Sequence, residues 1–160
     1  MPNLIEITGN DIASLNDADL RTLVGLLCEA EYRASNLSTS GITYGGHQDA
    51  SDGGLDVVVA CDAPPNNGFI TRASTGIQIK KPKMPRAEIL KEMKPTGILR
   101  DEIKSLIKNG GGYIIASSGD STTHKTLKSR TEAMYEAVKG EKGCDNILLD
   151  FFDRLEKTLF

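Results

Sequence analysis

The sequence predicts an α/β fold in which helices flank a mixed central β-sheet. Some stretches place apolar residues at helical spacing, and others are short runs rich in valine and isoleucine that are typical of strands. In chain order they read helix, three strands, a helical region, strand, helix and strand. Because neither a GxGxxG nor a GxxxxGKS/T motif occurs, this order does not describe a dinucleotide-binding or P-loop domain.

The first helix is predicted from Ala18 to Ala34, with Asn16 or Asp17 as its N-cap. Its apolar residues recur at i, i+3, i+4 and i+7, which marks a face that packs on the core: Leu20, Leu23, Val24 and Leu27. The predicted strands that follow run from Ser40 to Tyr44, from Leu55 to Cys61 and from Thr75 to Lys80, and Phe69-Ile70 is interpreted as the beginning of the return into the third.

Prolines and glycines divide the second half of the chain. Pro82 and Pro85 end the third strand and open a helical region, which Pro95 and Gly97 break in two. The later elements are predicted in this order: that helical region from Arg86 to Asn109, a strand from Tyr113 to Ser117, a helix capped by Ser121 or Thr122 that runs to Lys139, a strand from Asn146 to Phe152, and the start of a helix at Arg154.

The composition is that of a globular protein, with 39% hydrophobic and 26% charged residues in a chain of 160. This length predicts one domain over residues 1–160. No apolar run approaches the roughly 18–20 residues that cross a bilayer, and the N-terminus lacks the regions of a signal peptide, so we expect a cytoplasmic protein with no membrane partner. Three cysteines without zinc-binding spacing are expected to be small buried hydrophobes: Cys28, Cys61 and Cys144.

The net charge of -3 conceals an asymmetry along the chain. Residues 1–60 include nine acidic and two basic residues, a net of -7, whereas residues 80–108 include nine basic and four acidic residues, a net of +5. A basic stretch beside an acidic one suits a protein that holds a phosphate backbone near a metal ion. It also suits a solvated helix, so the charge alone does not decide between the two.

Two of the predicted strands carry polar residues on one face. Side chains alternate faces along a strand, so Gln78 and Lys80 share a face, and Asp56 begins one face of the preceding strand. If the two strands pair, these three side chains converge near one end of the sheet. Polar groups inside strands that are otherwise made of valine and isoleucine are costly unless they are satisfied or used.

The first helix offers a second carboxylate. At 100° per residue, Glu31 lies only about 20° from the apolar face, whereas Glu29 lies about 180° away on the solvent side. Carboxylates and an amide oxygen are hard ligands that suit Mg²⁺ or Mn²⁺. The sequence therefore predicts a divalent-metal site formed by Glu31, Asp56 and Gln78. Lys80 beside it would hold a water molecule or neutralise charge on a phosphate.

The segment Gly53-Gly54-Leu55-Asp56, followed by Gln78-Ile79-Lys80, resembles the PD-(D/E)XK nuclease motif in the variant where Gln replaces an acidic residue, as in Mrr-like restriction endonucleases. Flanking stretches resemble, in the same order, an N-terminal nuclease domain of large bacterial proteins that include antiviral STAND-type NTPases. These stretches include Gly45-Gly46-His47-Gln48, Glu92-Met93-Lys94-Pro95, Tyr113-Ile114-Ile115-Ala116 and Asp150-Phe151-Phe152-Asp153. The resemblance covers roughly residues 20–155.

The resemblance implies a restriction-endonuclease-like core and a metal-dependent endonuclease that cuts duplex DNA with Mg²⁺ or Mn²⁺. The catalytic residues it implies are Glu31, Asp56, Gln78 and Lys80, and the residues it implies at the metal are Glu31, Asp56, Gln78 and Ile79. It further implies that the chain continues past residue 160 in a larger defence protein. Because Gln78 stands where an acidic residue is usual, metal affinity or turnover is expected to be modest.

Basic residues after the third strand are interpreted as contacts to the DNA backbone, which fix position without reading sequence: Lys81, Lys83, Arg86 and Lys91. With 5% aromatic residues and no Trp, a reader of RNA or single strands that works by stacking is disfavoured. His47 and Asp52, in the loop before Asp56, are interpreted mainly as loop and turn residues. Cutting both strands needs two sites, so self-association is expected.

Two other interpretations stay open. The first is a module with the nuclease fold that binds DNA or a partner domain without cutting, which Gln78 and the acidic N-terminal half favour. The second is an unrelated α/β interaction domain. This second alternative gains support if Glu31 lies far from Asp56 and Lys80.

Overall fold

The computed structural model describes residues 7–44, 55–120 and 123–154. Its helices are α1 (Gly9–Ser14), α2 (Asp17–Ala34), α3 (Arg86–Met93), α4 (Asp101–Lys108) and α5 (His124–Val138), and a short 3₁₀ helix covers Cys144–Asn146. Its strands are β1 (Ile42–Tyr44), β2 (Val57–Ala60), β3 (Ser74–Lys80), β4 (Gly112–Ser117) and β5 (Leu148–Phe152). The predicted α/β class is confirmed.

The strands form one sheet in the order β1-β2-β3-β4-β5. The pairs β1/β2 and β2/β3 are antiparallel, while β3/β4 and β4/β5 are parallel, so the sheet is mixed as predicted. Helices lie between the parallel strands in sequence, because a parallel connection must return to the same end of the sheet. At a coarse level this arrangement is consistent with a restriction-endonuclease-like core.

Helix boundaries follow the capping residues. Asn16 caps α2, because its side chain accepts a hydrogen bond from the amide of Asp19 at 2.8 Å. The prediction that Ser121 or Thr122 caps α5 is wrong, since Thr123 fills that role by accepting from the amide of Thr126. Helix α1 was not predicted from the sequence, although Thr8 and Asp11 form a capping box there.

Two strand assignments also differ from the sequence prediction. Phe69 and Ile70 lie outside any strand, and β3 begins only at Ser74. The amides of Phe69 and Ile70 bond to a side chain instead of to a neighbouring strand. The helix predicted from Arg154 onward falls almost entirely outside the described residues, as does the loop of residues 45–54.

The two faces of the sheet bury separate apolar cores. One core joins α2 to side chains such as Val57, Ile77 and Ile79. The other core joins α3, α4 and α5 to side chains such as Tyr113 and Ile115. Because faces alternate along a strand, Gln78 and Lys80 belong to the side of α3, opposite the side of α2.

Helix α2 approaches the sheet closely. At Gly25 an added Cβ would overlap the ring of Tyr44 on β1, so only glycine allows this contact.

In residues 7–44, 55–120 and 123–154, no helix is both long and apolar enough to cross a membrane.

Candidate active site

Asp56 stands immediately before β2 and faces the last residues of β3. Its Oδ2 accepts hydrogen bonds from the amide of Ile79 at 2.8 Å and from Nε2 of Gln78 at 3.0 Å. Its own amide donates to the carbonyl of Ile77 at 3.0 Å, which extends the β2/β3 pairing by one residue. The convergence of Asp56 and Gln78 predicted from the strand faces is therefore present at the carboxyl end of β3.

Basic groups lie close to the Asp56 carboxylate. Nε of Arg21, from the first turns of α2, is 3.3 Å from its Oδ1. Burial raises the pKa of Asp56 above its ordinary value, while the Ile79 amide bond and the charges of Arg21 and Lys80 oppose that rise. Lys80 shares a face of β3 with Gln78, the residue whose side chain bonds to Asp56.

Lys80 forms its ion pair with a residue that the sequence analysis did not place in the site. Its Nζ is 2.7 Å from Oε2 of Glu92, which lies in the last turn of α3. Oε1 of Glu92 is 3.3 Å from Nη2 of Arg100, and Nε of Arg100 donates to the Glu92 carbonyl at 2.6 Å. Glu92 lies three residues after the buried Ile89, and this helical spacing is the signal that could have indicated its inward position.

Tyr113 connects the surroundings of the two acids. Its side chain is fully buried on the α3 side of the sheet. Burial raises the pKa of its phenol, and the negative charges of Glu92 and Asp56 raise it further. Both carboxylates therefore raise the pKa of the same buried phenol.

Glu31 lies away from this region. Its Oε1 accepts from the amide of Phe69 at 2.9 Å, and its Oε2 accepts from the amide of Ile70 at 3.3 Å. Along α2 it is ten residues beyond Arg21, about 15 Å of helix. The helix also packs on the face of the sheet opposite to Lys80. The structure therefore brings Asp56, Gln78, Ile79 and Lys80 together and leaves Glu31 outside them.

The Glu31 carboxylate anchors the loop that leads into β3. Phe69 and Ile70 are both buried, so their amides have little access to water. Gly68 has a φ of 131°, and an added Cβ there would overlap the carboxylate. Burial raises the pKa of Glu31 above its ordinary value, and the two amide bonds oppose the rise.

The predicted DNA contacts fall into two groups. Lys81, Lys83 and Lys91 are exposed and follow Lys80 along the chain. Arg86 is also exposed, but its guanidinium pairs with both carboxylate oxygens of Glu136 on α5. His47, Gln48 and Asp52 lie outside the described residues.

No family model, curated protein or solved structure matches this chain. The resemblance seen in the sequence therefore stays a prediction. The part of the chain that the structure describes holds no cluster of three or more His, Cys, Asp or Glu side chains placed to bind a metal.

The residues at the end of β3 offer oxygen ligands of the type that a hard divalent cation prefers, but they offer only a few of them. Asp56 supplies one carboxylate, Gln78 an amide oxygen, and Ile79 only its peptide carbonyl. Glu92 is the other carboxylate there, and it is engaged with two basic side chains. Such a set would leave several positions of an octahedral ion to water or to phosphate oxygens, which is how Mg²⁺ is commonly held.

We expect Glu31→Ala to lower the free energy of unfolding by about 2 kcal/mol, because two buried amides lose a charged acceptor. Urea unfolding measures this loss. Glu88→Ala, an exposed acid on α3, is the matched control and should change stability by less than about 0.5 kcal/mol. A Glu31→Ala variant as stable as the wild type would show that this carboxylate does not hold the loop.

The same carboxylate predicts a pH effect of defined sign. A raised pKa means that the Glu31 carboxyl binds a proton more readily in the folded protein than in the unfolded chain. The contribution of Glu31 to the free energy of unfolding therefore rises as pH falls towards 4.5. Glu31→Gln lacks this titration. The wild type should therefore gain stability relative to Glu31→Gln between pH 7 and pH 4.5, and a constant difference across that range would contradict the assignment.

Proposed function

We propose that this chain is a metal-dependent phosphodiesterase domain that cuts duplex DNA. The observation that carries the proposal is the Asp56 carboxylate, partly buried at the carboxyl end of β3 and bonded to Gln78 and Ile79, next to Lys80 at the end of the same strand. A carboxylate beside a lysine is a combination that can serve both a cation and a phosphate. The sequence resemblance supports the same function and extends it to a cytoplasmic effector of bacterial antiviral defence.

Each residue has a role in this proposal. Asp56, Gln78 and the Ile79 carbonyl would hold Mg²⁺ or Mn²⁺, which when bound would polarise the phosphodiester and make a bound water more acidic. Lys80 would neutralise charge that develops on the phosphate. The exposed side chains of Lys81, Lys83 and Lys91, with Arg86, would contact backbone phosphates on either side.

Glu31 does not take part in the proposed metal site. It lies about three turns of α2 beyond the residue that contacts Asp56, and its oxygens hold the loop before β3. Its predicted place at the metal stays a prediction that the metal affinity of Glu31→Gln tests. We expect that affinity to equal that of the wild type.

We expect Lys80→Met to lower the rate of DNA cleavage by about 10²–10³-fold, the cost of removing one group that stabilises a developing negative charge. The assay is conversion of supercoiled plasmid with Mg²⁺, Mn²⁺ or EDTA. Lys128→Met is the matched control, because Lys128 is an exposed lysine on α5 and should leave the rate unchanged. Cleavage at the wild-type rate by Lys80→Met would remove Lys80 from the reaction.

A module that binds DNA or a partner domain without cutting is the second candidate. The ion pairs of the structure favour it, because Arg21 pairs with Asp56 and Glu92 pairs with Lys80. The position of Glu31, away from Asp56 and Lys80, also favours the other alternative, an unrelated α/β interaction domain. A binding module would retain duplex DNA equally in Mg²⁺ and in EDTA, and Lys80→Met would leave the plasmid conversion at its background.

Self-association is part of the proposal because a single site cuts one strand. A second copy would supply the second site needed for a duplex break. Nicked plasmid as the first product, with linear plasmid appearing at higher protein concentration, is the expected pattern.

A further inference from the structure

The Lys80 ammonium has two acids within its electrostatic reach. Its contact in the structure is with Glu92, at 2.7 Å. The other acid near this strand end is Asp56, whose Oδ2 accepts from the amide of Ile79, the residue before Lys80. A lysine side chain is a point charge on a flexible stem, so it can pair with either acid.

The choice between the two acids matters for a cation at Asp56. An ammonium bonded to Asp56 would occupy a carboxylate oxygen and place a positive charge where a divalent ion must bind. Opposite charges attract strongly where water is partly excluded, so an ammonium paired with Asp56 would compete with a divalent ion for the same carboxylate. Arg21 already lies 3.3 Å from Oδ1 of Asp56, and a second basic group would complete the neutralisation.

Glu92 is itself held in position. Arg100, the residue that precedes α4, donates through Nε to the Glu92 carbonyl and pairs through Nη2 with its Oε1. Only 14% of the Glu92 side chain is exposed. The carboxylate therefore presents Oε2 to Lys80 from a fixed place on α3.

We propose that Glu92 is a positioning residue that holds the Lys80 ammonium away from Asp56 and so keeps Asp56 open to a divalent cation. Arg100 fixes Glu92 and Glu92 fixes Lys80, so Lys80 does not take the one lone-pair site that the Asp56 carboxylate has left beside its contacts with Arg21, Gln78 and Ile79. The consequence for cleavage rests on the proposed function, but the position of Lys80 and the affinity for Mn²⁺ do not require that DNA is cut.

The first test is the position of Lys80 in a crystal structure of metal-free Glu92→Gln. Glutamine keeps the length of the side chain and can still accept from Arg100, but it lacks the charge. The expected result is Lys80 Nζ within hydrogen-bond distance of Asp56. Lys80 Nζ in its wild-type place beside residue 92 would overturn the proposal. Glu88→Gln, on the same helix, should leave Lys80 where it is.

The second test is Mn²⁺ binding by calorimetry to the wild type, Glu92→Gln, Lys80→Met and the double variant. Groups that position a metal ligand change metal affinity by about 10–100-fold, so Glu92→Gln should bind Mn²⁺ at least about tenfold more weakly. In the Lys80→Met background the same change should cost less than about threefold, because no lysine remains to be held.

The outcomes separate the two proposals. Equal losses of Mn²⁺ affinity in both backgrounds would show that Glu92 acts directly on the ion and would overturn the positioning role, and so would no loss in either. Absence of Mn²⁺ binding in the wild type would count against the proposed metal-dependent function, and the crystallographic position of Lys80 would still decide the role of Glu92.

Discussion

Asp56→Asn should lower the rate of metal-dependent DNA cleavage by at least about 10³-fold. Within the described residues, Asp56 supplies the carboxylate that accepts hydrogen bonds from the Gln78 side chain and the Ile79 amide, near the end of β3. A metal that polarises a phosphoryl oxygen is worth several kcal/mol, and each 1.36 kcal/mol is a factor of ten in rate. Asparagine retains the shape and can still accept the Ile79 amide, so the loss isolates the charge.

Plasmid conversion and Mn²⁺ calorimetry measure this effect. Asp62→Asn makes the same chemical change at an exposed acid beyond the other end of β2, and it should cut at the wild-type rate. Circular dichroism of both variants checks the fold. If Asp56→Asn cleaves within about threefold of the wild type, Asp56 does not bind a catalytic metal, and the binding-only function becomes the better account.

The alternation of sheet faces explains why part of the site could be predicted. Gln78 and Lys80 are two residues apart on one strand, so their common face follows from backbone geometry alone. Asp56 joins them because β2 and β3 are consecutive and antiparallel, the commonest arrangement of neighbouring strands. Local rules were sufficient for these three residues.

For Glu31, helical periodicity predicted only part of the position of the side chain. Helical periodicity gives the direction in which a side chain points, and Glu31 does point inward, towards the loop before β3. Periodicity does not give the position along the helix axis relative to the sheet, nor the face of the sheet on which the helix packs. Those depend on tertiary packing, here on the close approach of Gly25 to Tyr44.

Glu92 could not be assigned for a similar reason. Its partner Lys80 lies twelve residues earlier, across two prolines and a change from strand to helix. A cation–carboxylate contact over that distance is set by how α3 returns across the sheet, which no local pattern encodes. The fold class was easier to predict, because each element carries its own periodicity and cap.

Asp120 forms the most buried ion pair among the residues that the structure describes. Its side chain is 3% exposed, and its Oδ1 lies 3.2 Å from Nη2 of Arg130 on α5. Oδ2 accepts from the amide of Met84 at 2.8 Å, and the Asp120 carbonyl accepts from the amide of Arg154. One residue therefore ties the end of β4 to the loop before α3, to α5 and to the residues after β5.

Asp120→Ala should lower the free energy of unfolding by about 3–5 kcal/mol, because it leaves the guanidinium of Arg130 and the amide of Met84 buried without their acceptor. Urea unfolding gives the value, with Asp62→Ala as the exposed control. Arg130→Met should cost a similar amount, and the double variant should cost much less than the sum, since each single change leaves the other partner uncompensated. Additive losses would mean that the two side chains contribute separately. Because the Met84 amide belongs to the loop that carries Lys81 and Lys83, Asp120→Ala should also weaken DNA binding before the protein unfolds globally, as local opening of that loop requires less free energy than unfolding of the sheet.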